Sequence, residues 1–557
     1  MNNIENIKKA KLLFPDIKLS VDDLVKKYSP RVLPANAKVT RFGPSPTGFL
    51  HIGGIFTALV SERLAHQSNG IFILRIEDTD KNREVEGGVT QIVKALDKFD
   101  MEIDEGPRLD GKEVGKYGPY KQSERLDIYE AFAKFLIEQD RAYPCFCTKD
   151  ELEILKNRQE SEKIRPGYYG KWAKHRNLTL EEIDKKIKNG ENFVIRLKSD
   201  IVEEDGFIFS DLIKGNVSVT ENNNDIILLK ADGYPTYHFA HVVDDYLMGT
   251  THVIRGDEWL SSLPIHLQIF KFIGKTAPLY GHLSPILKSD NGGKRKLSKR
   301  KDPEASIDFY SQKGYPRVSI IEYLLNIVNS DFEDWRKNNP NIPNTDFLIK
   351  LERFSKSGAL FDINKLNNIS KEVISKMSAG EVFENTLQWA DSYDKEFALS
   401  LRKDKEYYIK IFSIERGGNN PRKDISSWSE IKDSISYFFN FPEDTINNEI
   451  MDLYPNHLKK KEIKELINVY SNHYNEQGSQ ELWFKDLKTF SEKKGFAMNM
   501  KDFKENPEKF RGTVGDVAMI LRVAITGRTK TPDLYEIMKV MGKDFLLNRL
   551  KRQCDSL

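Results

Sequence analysis

The stretch that decides the fold is Pro44-Ser45-Pro46-Thr47-Gly48-Phe49-Leu50-His51-Ile52-Gly53-Gly54, one residue after Val39-Thr40-Arg41-Phe42. We interpret residues 39–42 as a strand and residues 55–65, which have helical apolar spacing, as a helix. Glycines at the start of such a helix let a phosphate approach backbone N–H groups and the positive end of the helix dipole. Alone, a glycine-rich strand–turn–helix is often only a tightly packed turn.

A second informative segment, Lys296-Leu297-Ser298-Lys299-Arg300, lies between Gly292-Gly293 and Pro303. Its composition predicts a basic loop whose lysine and arginine side chains close over a polyphosphate. Taken alone, a Lys/Arg run is usually a solvated surface.

Bulk properties narrow the class of protein. A chain of 557 residues is long for one core and predicts several domains. It is 39% hydrophobic and 31% charged, without an apolar run long enough to span a bilayer. The formal net charge is only +2, so any RNA surface must come from local clustering of charge. Three cysteines are too few for a disulfide framework, and the polar amino terminus predicts no secretory signal, hence a cytoplasmic protein.

The pattern of elements divides the chain into six parts. From residue 39 to about 139, strands alternate with amphipathic helices, and residues 71–76 read as a buried strand. This alternation predicts a parallel, doubly wound α/β sheet. The alternation breaks near residue 140, resumes near residue 237, and gives way to mostly helical patterning beyond about residue 315, with helices predicted at residues 319–328, 428–439 and 461–474. We predict an N-terminal helical extension (1–35), two halves of one sheet domain (36–139 and 236–315) separated by an insertion (140–235), and two helical regions (316–385 and 386–557).

In this order, the glycine-rich turn and the basic loop resemble the two signatures of class I aminoacyl-tRNA synthetases. Further stretches narrow the resemblance to the bacterial-type glutamyl-tRNA synthetases. They are Arg75-Ile76-Glu77-Asp78-Thr79-Asp80, Tyr120-Lys121-Gln122-Ser123-Glu124-Arg125, Asp232-Gly233-Tyr234-Pro235-Thr236-Tyr237-His238-Phe239-Ala240, and His252-Val253-Ile254-Arg255-Gly256-Asp257-Glu258-Trp259. The resemblance continues from Lys38 to the C-terminus.

The resemblance implies an α/β class I Rossmann catalytic domain with an inserted α+β acceptor-binding domain, then a stem-contact helical domain and an all-α anticodon-binding region. It implies that glutamate and ATP form glutamyl-adenylate and diphosphate, and that the glutamyl group passes to the 3′ end of tRNA(Glu). Whether tRNA(Gln) is also a substrate stays open. Mg²⁺ is expected as the counter-ion of ATP, held mostly by phosphate and water. A monomer without a membrane partner is expected.

The resemblance also assigns an ATP site. His51 and Lys299 are the implied catalytic residues, since nucleotidyl transfer needs positioning and charge neutralisation more than covalent chemistry. The full implied ATP-binding set is Pro44, Ser45, Pro46, Thr47, Gly48, His51, Gly53, Gly54, Glu258, Trp259, Lys296, Leu297, Ser298, Lys299 and Arg300.

The implied glutamate-binding set is Arg41, Ser45, Glu77, Tyr237, His241 and Arg255. An Arg fork suits a planar carboxylate, and Arg255 ends an apolar strand where an unpaired charge is costly. Two alternatives to these binding roles stay open. In one, Glu77 only forms an ion pair with Arg75 or Lys81; in the other, Tyr237 is only an aromatic residue of the core.

Two departures from the family pattern concern His241 and a metal site. The family often has Asn at the position of His241, where a histidine either alters recognition, with part of a charge near neutral pH, or merely packs. Cys145-Phe146-Cys147 and Tyr168 resemble part of a zinc site found in some members. Trp172 stands where the remaining cysteine is expected, and His175 is out of register, so no metal site and no zinc are predicted.

The residues of this chain disfavour two other functions. Glutaminyl-tRNA synthetases usually carry Glu-Pro-Asn at positions 45–47, His at position 54, Asp-Asp-Thr-Asn at 77–80 and a β-barrel anticodon region, all unlike this chain. A non-catalytic tRNA-binding paralogue has no need for all four of the residues His51, Lys299, Arg41 and Arg255. RNA contacts are expected at basic clusters, with Lys294, Arg295, Lys301, Lys459, Lys460, Lys461, Arg549, Lys551 and Arg552 as candidates.

Overall fold

The computed structural model describes residues 2–48, 50–200, 206–290, 292–298, 300–440, 448–476 and 478–557. The chain divides into two compact units. The first unit comprises Met1–Ile307 and Ile321–Phe361, and the second comprises Asp308–Ile320 and Asp362–Leu557.

A parallel sheet forms the centre of the first unit. Val39–Phe42 pairs in parallel with Ile71–Leu74, and His252–Gly256 pairs in parallel with Leu279–Leu283. The N–H of Thr251 donates to the carbonyl of Val39 (2.9 Å), so the second pair of strands lies beside the first. The first strand in sequence therefore lies inside the sheet, and the carboxyl ends at such a reversal of strand order favour ligand binding. The prediction of a parallel, doubly wound sheet is confirmed.

The helix after the glycine-rich turn runs over Ile52–His66, three residues longer at its start than predicted. His51 explains the earlier start, because its Nδ1 accepts a hydrogen bond from the N–H of Gly54 (3.0 Å) as an N-cap. The cap holds the helix N-terminus against the ends of the strands.

Eleven further α-helices lie between residues 2 and 338 in the described part of the chain. They are Asn2–Leu13, Val21–Lys27, Gly88–Lys98, Leu126–Glu138, Lys149–Ser161, Leu180–Lys188, Tyr237–Leu247, Leu263–Phe272, Ile307–Lys313, Arg317–Val328 and Asp331–Asn338. Apolar residues of the first two helices share one core with those of Leu126–Glu138 and Tyr237–Leu247.

The predicted insertion contains antiparallel strands, unlike the flanking sequence. Ala142–Cys145, Val194–Leu197 and Ile227–Leu229 form one three-stranded sheet, and Gly206–Asp211 with Gly215–Thr220 forms a hairpin. The N–H of Leu212, at the tip of the hairpin, donates to the carbonyl of Tyr280 (2.9 Å). The hairpin thus touches the edge strand of the parallel sheet. The remaining strands of the unit are Gly106–Pro107, Glu113–Val114, Ile286–Asp290, Gly293–Lys296 and Ala359–Leu360.

The second unit is helical, as predicted, with no multi-residue strand in its described part. Its α-helices beyond those shared with the first unit are Ile363–Ser375, Ala379–Tyr393, Lys395–Lys403, Lys405–Ser413, Ile431–Ser434, Lys460–His473, Gln480–Lys493, Met500–Glu505, Val514–Thr526, Leu534–Met541 and Lys543–Ser556. The apolar faces of these helices bury a continuous core.

Two expectations for the second unit are wrong. A continuous helix over residues 428–439 is replaced by short 3₁₀ and α turns, and side chains of Arg528 and Arg549 donate to the carbonyls of Ser434 and Tyr437. Arg549 is fully buried, so it cannot contact RNA as its position in a basic cluster suggested.

None of the helices in the described ranges combines the length and the apolar character that crossing a bilayer requires.

Candidate active site

A cavity of about 990 Å³ opens at the carboxyl ends of the parallel strands. The residues predicted from sequence to bind ATP or glutamate line much of its wall. The lining members of those sets are Arg41, Pro44, Ser45, Thr47, Gly48, His51, Gly53, Gly54, Glu77, Tyr237, Arg255, Glu258, Trp259, Lys296 and Leu297. Segments far apart in sequence therefore meet in one pocket.

Some predicted residues lie elsewhere. Pro46, Ser298, Arg300 and His241 are absent from the pocket wall. Lys299, the second predicted catalytic residue, lies outside the described residues.

His51 and Lys296 mark the end of the pocket suited to phosphates. His51 is exposed at the helix N-terminus, where backbone N–H groups and the helix dipole favour an anion. Lys296 Nζ lies 3.4 Å from Glu258 Oε1, and both side chains are about half exposed. An ion pair this exposed contributes little to stability, so Lys296 can exchange Glu258 for a phosphate at small cost.

Glu77 supplies an acidic wall next to the turn. Its Oε1 accepts from Arg75 Nη2 (3.0 Å), which is the pairing considered as an alternative for this residue. Gly43 is required here, because a Cβ at that position would lie 2.4 Å from the same Oε1. Burial raises the pKa of Glu77, while Arg75 and Arg41 oppose that shift. Glu77 is thus an acidic side chain on the pocket wall, held in place by Arg75.

Arg41 is buried at the end of its strand, with contacts on one side only. Its Nε lies 3.4 Å from Asp245 Oδ2, and its Nη2 lies 3.3 Å from His241 Nδ1. Its Nη1 has no hydrogen-bond partner among the described residues, although Arg41 lines the pocket. Donors therefore remain available for a ligand.

His241 lies behind Arg41, fully buried. Its Nε2 is 3.1 Å from the Tyr280 hydroxyl, and its Nδ1 is 3.1 Å from Asp245 Oδ2. Burial, followed by the nearby Arg41 and Arg255 cations, holds its pKa well below the ordinary histidine value. The neutral form of His241 is therefore favoured, which supports the packing alternative for this residue.

Arg255 is a buried cation with four hydrogen-bonding contacts, none of them to a carboxylate. Its contacts are His282 Nε2 (3.1 Å), the Tyr237 hydroxyl (3.3 Å), His266 Nδ1 (3.0 Å) and the Trp259 carbonyl (3.2 Å). No ion pair to Arg255 occurs in the described part of the chain. A guanidinium carries five N–H donors, so one donor, on Nη2, remains. A buried cation without a counter-ion is costly, which makes a ligand carboxylate its natural partner.

Tyr237 joins these groups. Its ring lies 4.3 Å from that of Trp259, and its hydroxyl accepts from Arg255 while the side chain still lines the pocket. The alternative of a purely structural core aromatic does not account for this polar contact.

Sequence reasoning missed the residues that hold these arginines. Arg75 and Asp245 support Arg41 and Glu77, whereas His266, His282 and Asp211 surround Arg255. The sequence signal that could have found such residues is a polar side chain within an apolar segment, such as His266 in the helix Leu263–Phe272.

A separate cluster brings together Cys145, Cys147, Tyr168 and His175. His175 Nδ1 lies 3.7 Å from Cys145 Sγ and 3.4 Å from Cys147 Sγ, so the expectation that His175 is out of register is wrong. Thiols and an imidazole are donor types that bind zinc, but the imidazole nitrogen that faces the two thiols is already engaged. His175 Nδ1 already accepts from the N–H of Phe146 (3.1 Å), and a lone pair used in that way is not available to a metal.

Comparison with known proteins agrees with this geometry. Residues 38–368 match the family model described as "tRNA synthetases class I (E and Q), catalytic domain", and residues 395–554 match "Anticodon binding domain". A glutamate–tRNA ligase of Clostridium perfringens is 50% identical over 546 residues, covering 98% of both chains. One from Acetivibrio thermocellus is 48% identical over 548 residues, covering 98% of this chain and 99% of the relative.

A solved structure is similar along most of the chain. The glutamate tRNA ligase from Elizabethkingia meningosepticum, crystallised in complex with its amino acid, superposes with a TM-score of 0.74 at 28% identity. The match covers 94% of this chain and all of that one.

The sheet, the pocket and the matched models together define a class I tRNA synthetase catalytic domain followed by an anticodon-binding domain. Within that class, the chain belongs to the glutamate–tRNA ligase family. The predicted family and fold class are confirmed, and glutaminyl-tRNA synthetase and the non-catalytic binder are not favoured.

Proposed function

We propose that the described pocket activates glutamate with ATP and delivers the glutamyl group to the 3′ end of tRNA(Glu). The α-carboxylate of glutamate attacks the α-phosphorus of ATP, the bond to the diphosphate leaving group breaks, and glutamyl-adenylate forms. The 3′-terminal ribose hydroxyl then attacks the activated carbonyl and releases AMP. Each step needs positioning and charge neutralisation more than a protein nucleophile.

The ATP end of the pocket uses His51 and the basic loop. His51 donates to the triphosphate as charge develops, and Gly53 and Gly54 leave room for the nucleotide beside the helix N-terminus. Lys296 and Lys299 hold the departing diphosphate. Mg²⁺ accompanies ATP, held mainly by phosphate and water.

The glutamate end uses two arginines and one acid. Arg41, Arg255 and the Tyr237 hydroxyl bind the side-chain carboxylate, while Ser45 and Glu77 bind the ammonium group. This leaves the α-carboxylate free to react. His241 acts indirectly, by holding Arg41.

The observation that carries the proposal is the buried Arg255, which lacks a carboxylate partner and has one remaining donor in the pocket. A glutamate carboxylate supplies the missing charge, whereas a glutamine amide does not.

The domain roles and the oligomeric state that we propose are those expected for the family. We propose that residues 140–235 hold the acceptor end, residues 316–385 contact the stem and residues 386–557 read the anticodon. The enzyme acts as a cytoplasmic monomer without zinc.

The decisive experiment is aminoacylation with radiolabelled glutamate and, separately, glutamine, each against tRNA(Glu) and tRNA(Gln). Charging of tRNA(Glu) with glutamate supports the proposal, and charging of tRNA(Gln) would extend the substrate range to that tRNA. No charging with either amino acid, together with tight tRNA binding, would contradict it.

A matched variant tests the role of His51. Asn is a good N-cap, so His51→Asn keeps the cap to Gly54 but removes the imidazole Nε2. We expect an unchanged melting temperature and a loss of adenylate formation of about 100-fold. Unchanged adenylate formation would restrict His51 to its capping role.

A further inference from the structure

Arg255 is held on its Nε side by a pair of residues that the proposed mechanism does not use. Its Nε donates to His282 Nε2 (3.1 Å), and His282 Nδ1 lies 2.6 Å from Asp211 Oδ2. Asp211 and His282 are buried, with exposed fractions of 4% and 0%. They form a carboxylate–imidazole–guanidinium chain that ends at the pocket.

The protonation of His282 follows from its two neighbours. A guanidinium only donates, so His282 Nε2 must accept and carries no proton. The single proton of the neutral imidazole is then on Nδ1, where it donates to Asp211. Burial and Arg255 lower the pKa of His282, and Asp211 opposes them, with a net shift downward that favours this neutral form.

Asp211 is well placed to enforce that tautomer. Its Oδ1 accepts backbone N–H groups of Ile213 (2.9 Å), Lys214 (2.8 Å) and His282 (3.2 Å), which fix the carboxylate at the tip of the hairpin. Its Oδ2 is therefore committed to His282 Nδ1. An acid that orients a histidine in this way selects the tautomer and stabilises the ring orientation.

We infer that Asp211 and His282 are positioning residues that orient Arg255 for the side-chain carboxylate of glutamate. The inference rests on the proposed placement of Arg255 in the glutamate site. Neither residue touches the substrate. The acceptor at His282 Nε2 fixes the Nε edge of the guanidinium, which directs the remaining Nη2 donor into the pocket. Hence a residue of the hairpin, from the inserted part of the chain, sets amino-acid affinity.

The test uses variants that change one hydrogen-bonding atom at a time. Asp211→Asn keeps an oxygen for the backbone N–H groups but places an NH₂ group against His282 Nδ1. The ring must then carry its proton on Nε2, which opposes the Arg255 N–H. We expect the KM for glutamate to rise about tenfold or more, with the KM for ATP and for tRNA(Glu) unchanged.

A matched pair at position 282 separates the two ring nitrogens. His282→Gln places an amide oxygen near the position of Nε2 and keeps the acceptor for Arg255, so we expect a KM for glutamate within about threefold of the parent. His282→Asn lacks that acceptor and should resemble Asp211→Asn. Since Gln has no tautomers, Asp211→Asn should add little in the His282→Gln background, a coupling that a merely structural role does not produce.

Each failure has its own signature. Parent enzyme that does not charge glutamate would overturn the proposed function itself, and Arg255→Ala with an unchanged KM for glutamate would remove Arg255 from the site. If Arg255→Ala raises that KM while Asp211→Asn and His282→Asn do not, only the positioning inference is wrong. Equal increases in the KM for glutamate, ATP and tRNA, with a lowered melting temperature, would also overturn it in favour of a structural role.

Discussion

Arg75 and Asp245 form a fully buried ion pair, with Nη1 and Oδ1 2.6 Å apart, directly behind the pocket. Each partner also holds a pocket residue, since Arg75 donates to Glu77 (3.0 Å) and Asp245 lies 3.4 Å from Arg41 Nε. One ion pair therefore supports both the proposed ammonium-binding acid and one carboxylate-binding arginine.

Asp245→Asn should destabilise the protein. A neutral amide removes the carboxylate that contacts Arg41 and the closest of the three carboxylates around Arg75. Loss of such a charge from a buried site costs about 3–5 kcal/mol. The free energy of unfolding, measured by denaturant titration of the intact chain, would show the loss. Asp232→Asn is the matched control, because Asp232 is 59% exposed; an equal effect of both changes would contradict the account.

Lys299→Ala should abolish most adenylate formation while tRNA binding stays nearly intact. Loss of one cation on the departing diphosphate costs about 100-fold or more in rate. ATP–diphosphate exchange with tRNA(Glu) present, and a tRNA-binding assay, measure the two properties. Lys98→Ala, at an exposed lysine that ends the helix Gly88–Lys98, serves as the control. Equal loss of both properties in Lys299→Ala would instead make the loop an RNA-binding surface.

Arg255→Ala should chiefly damage the use of glutamate. Removing the partner of a buried carboxylate lowers kcat/KM for glutamate by about 100-fold or more. Arg83→Ala is a suitable comparison, since Arg83 also lines the pocket but is 73% exposed and pairs with Asp80. Unchanged glutamate kinetics in Arg255→Ala would exclude it from the amino-acid site.

His66 should make stability depend on pH in the alkaline range. Its imidazole lies between Asp104 (2.8 Å) and Glu62 (2.9 Å). These two carboxylates, Asp104 more than Glu62, raise the pKa of the imidazole from an ordinary 6.5 to about 10. Because the folded-state pKa is the higher one, the stabilisation is complete below about pH 6.5 and is lost as pH rises toward 10. The melting temperature of the parent should therefore exceed that of His66→Gln most at low pH and converge with it near pH 10. A difference that does not vary between pH 6 and 10 would show that the bridge is uncharged.

Protein purified without chelator should contain no stoichiometric zinc. Trp172 replaces the remaining cysteine expected from the family pattern, and the N–H of Phe146 uses the lone pair of His175 Nδ1. Metal analysis of the intact chain tests this expectation. One zinc per chain, lost in Cys147→Ser, would contradict it.

The sequence predicted the parallel sheet because local patterns dominate there. Residues 39–42 and 71–76 read as buried strands, and the observed strands Val39–Phe42 and Ile71–Leu74 differ only at one end. The pocket was also foreseeable, since the motifs at residues 44–54 and 252–259 carry their own chemistry. These features depend on neighbours in sequence.

The supporting residues escaped prediction because their partners are distant along the chain. His282 meets Asp211, 71 residues away, and Arg75 meets Asp245, 170 residues away. The contacts of His175 with Cys145 and Cys147, 30 and 28 residues away, are likewise not visible in the spacing of the motif. The broken helix at 428–439 likewise depends on arginines nearly a hundred residues on.

The neighbouring positions of Val39 and Thr251, 212 residues apart in sequence, have a consequence for synthesis of the chain on the ribosome. Strands 39–42 and 71–74 emerge early and can pair at once, but the other edge of the first strand stays open until residue 251 has left the exit tunnel. An open strand edge is a template for intermolecular pairing. Nascent chains stalled or truncated between residues 75 and 250 are therefore the forms of this protein most exposed to aggregation.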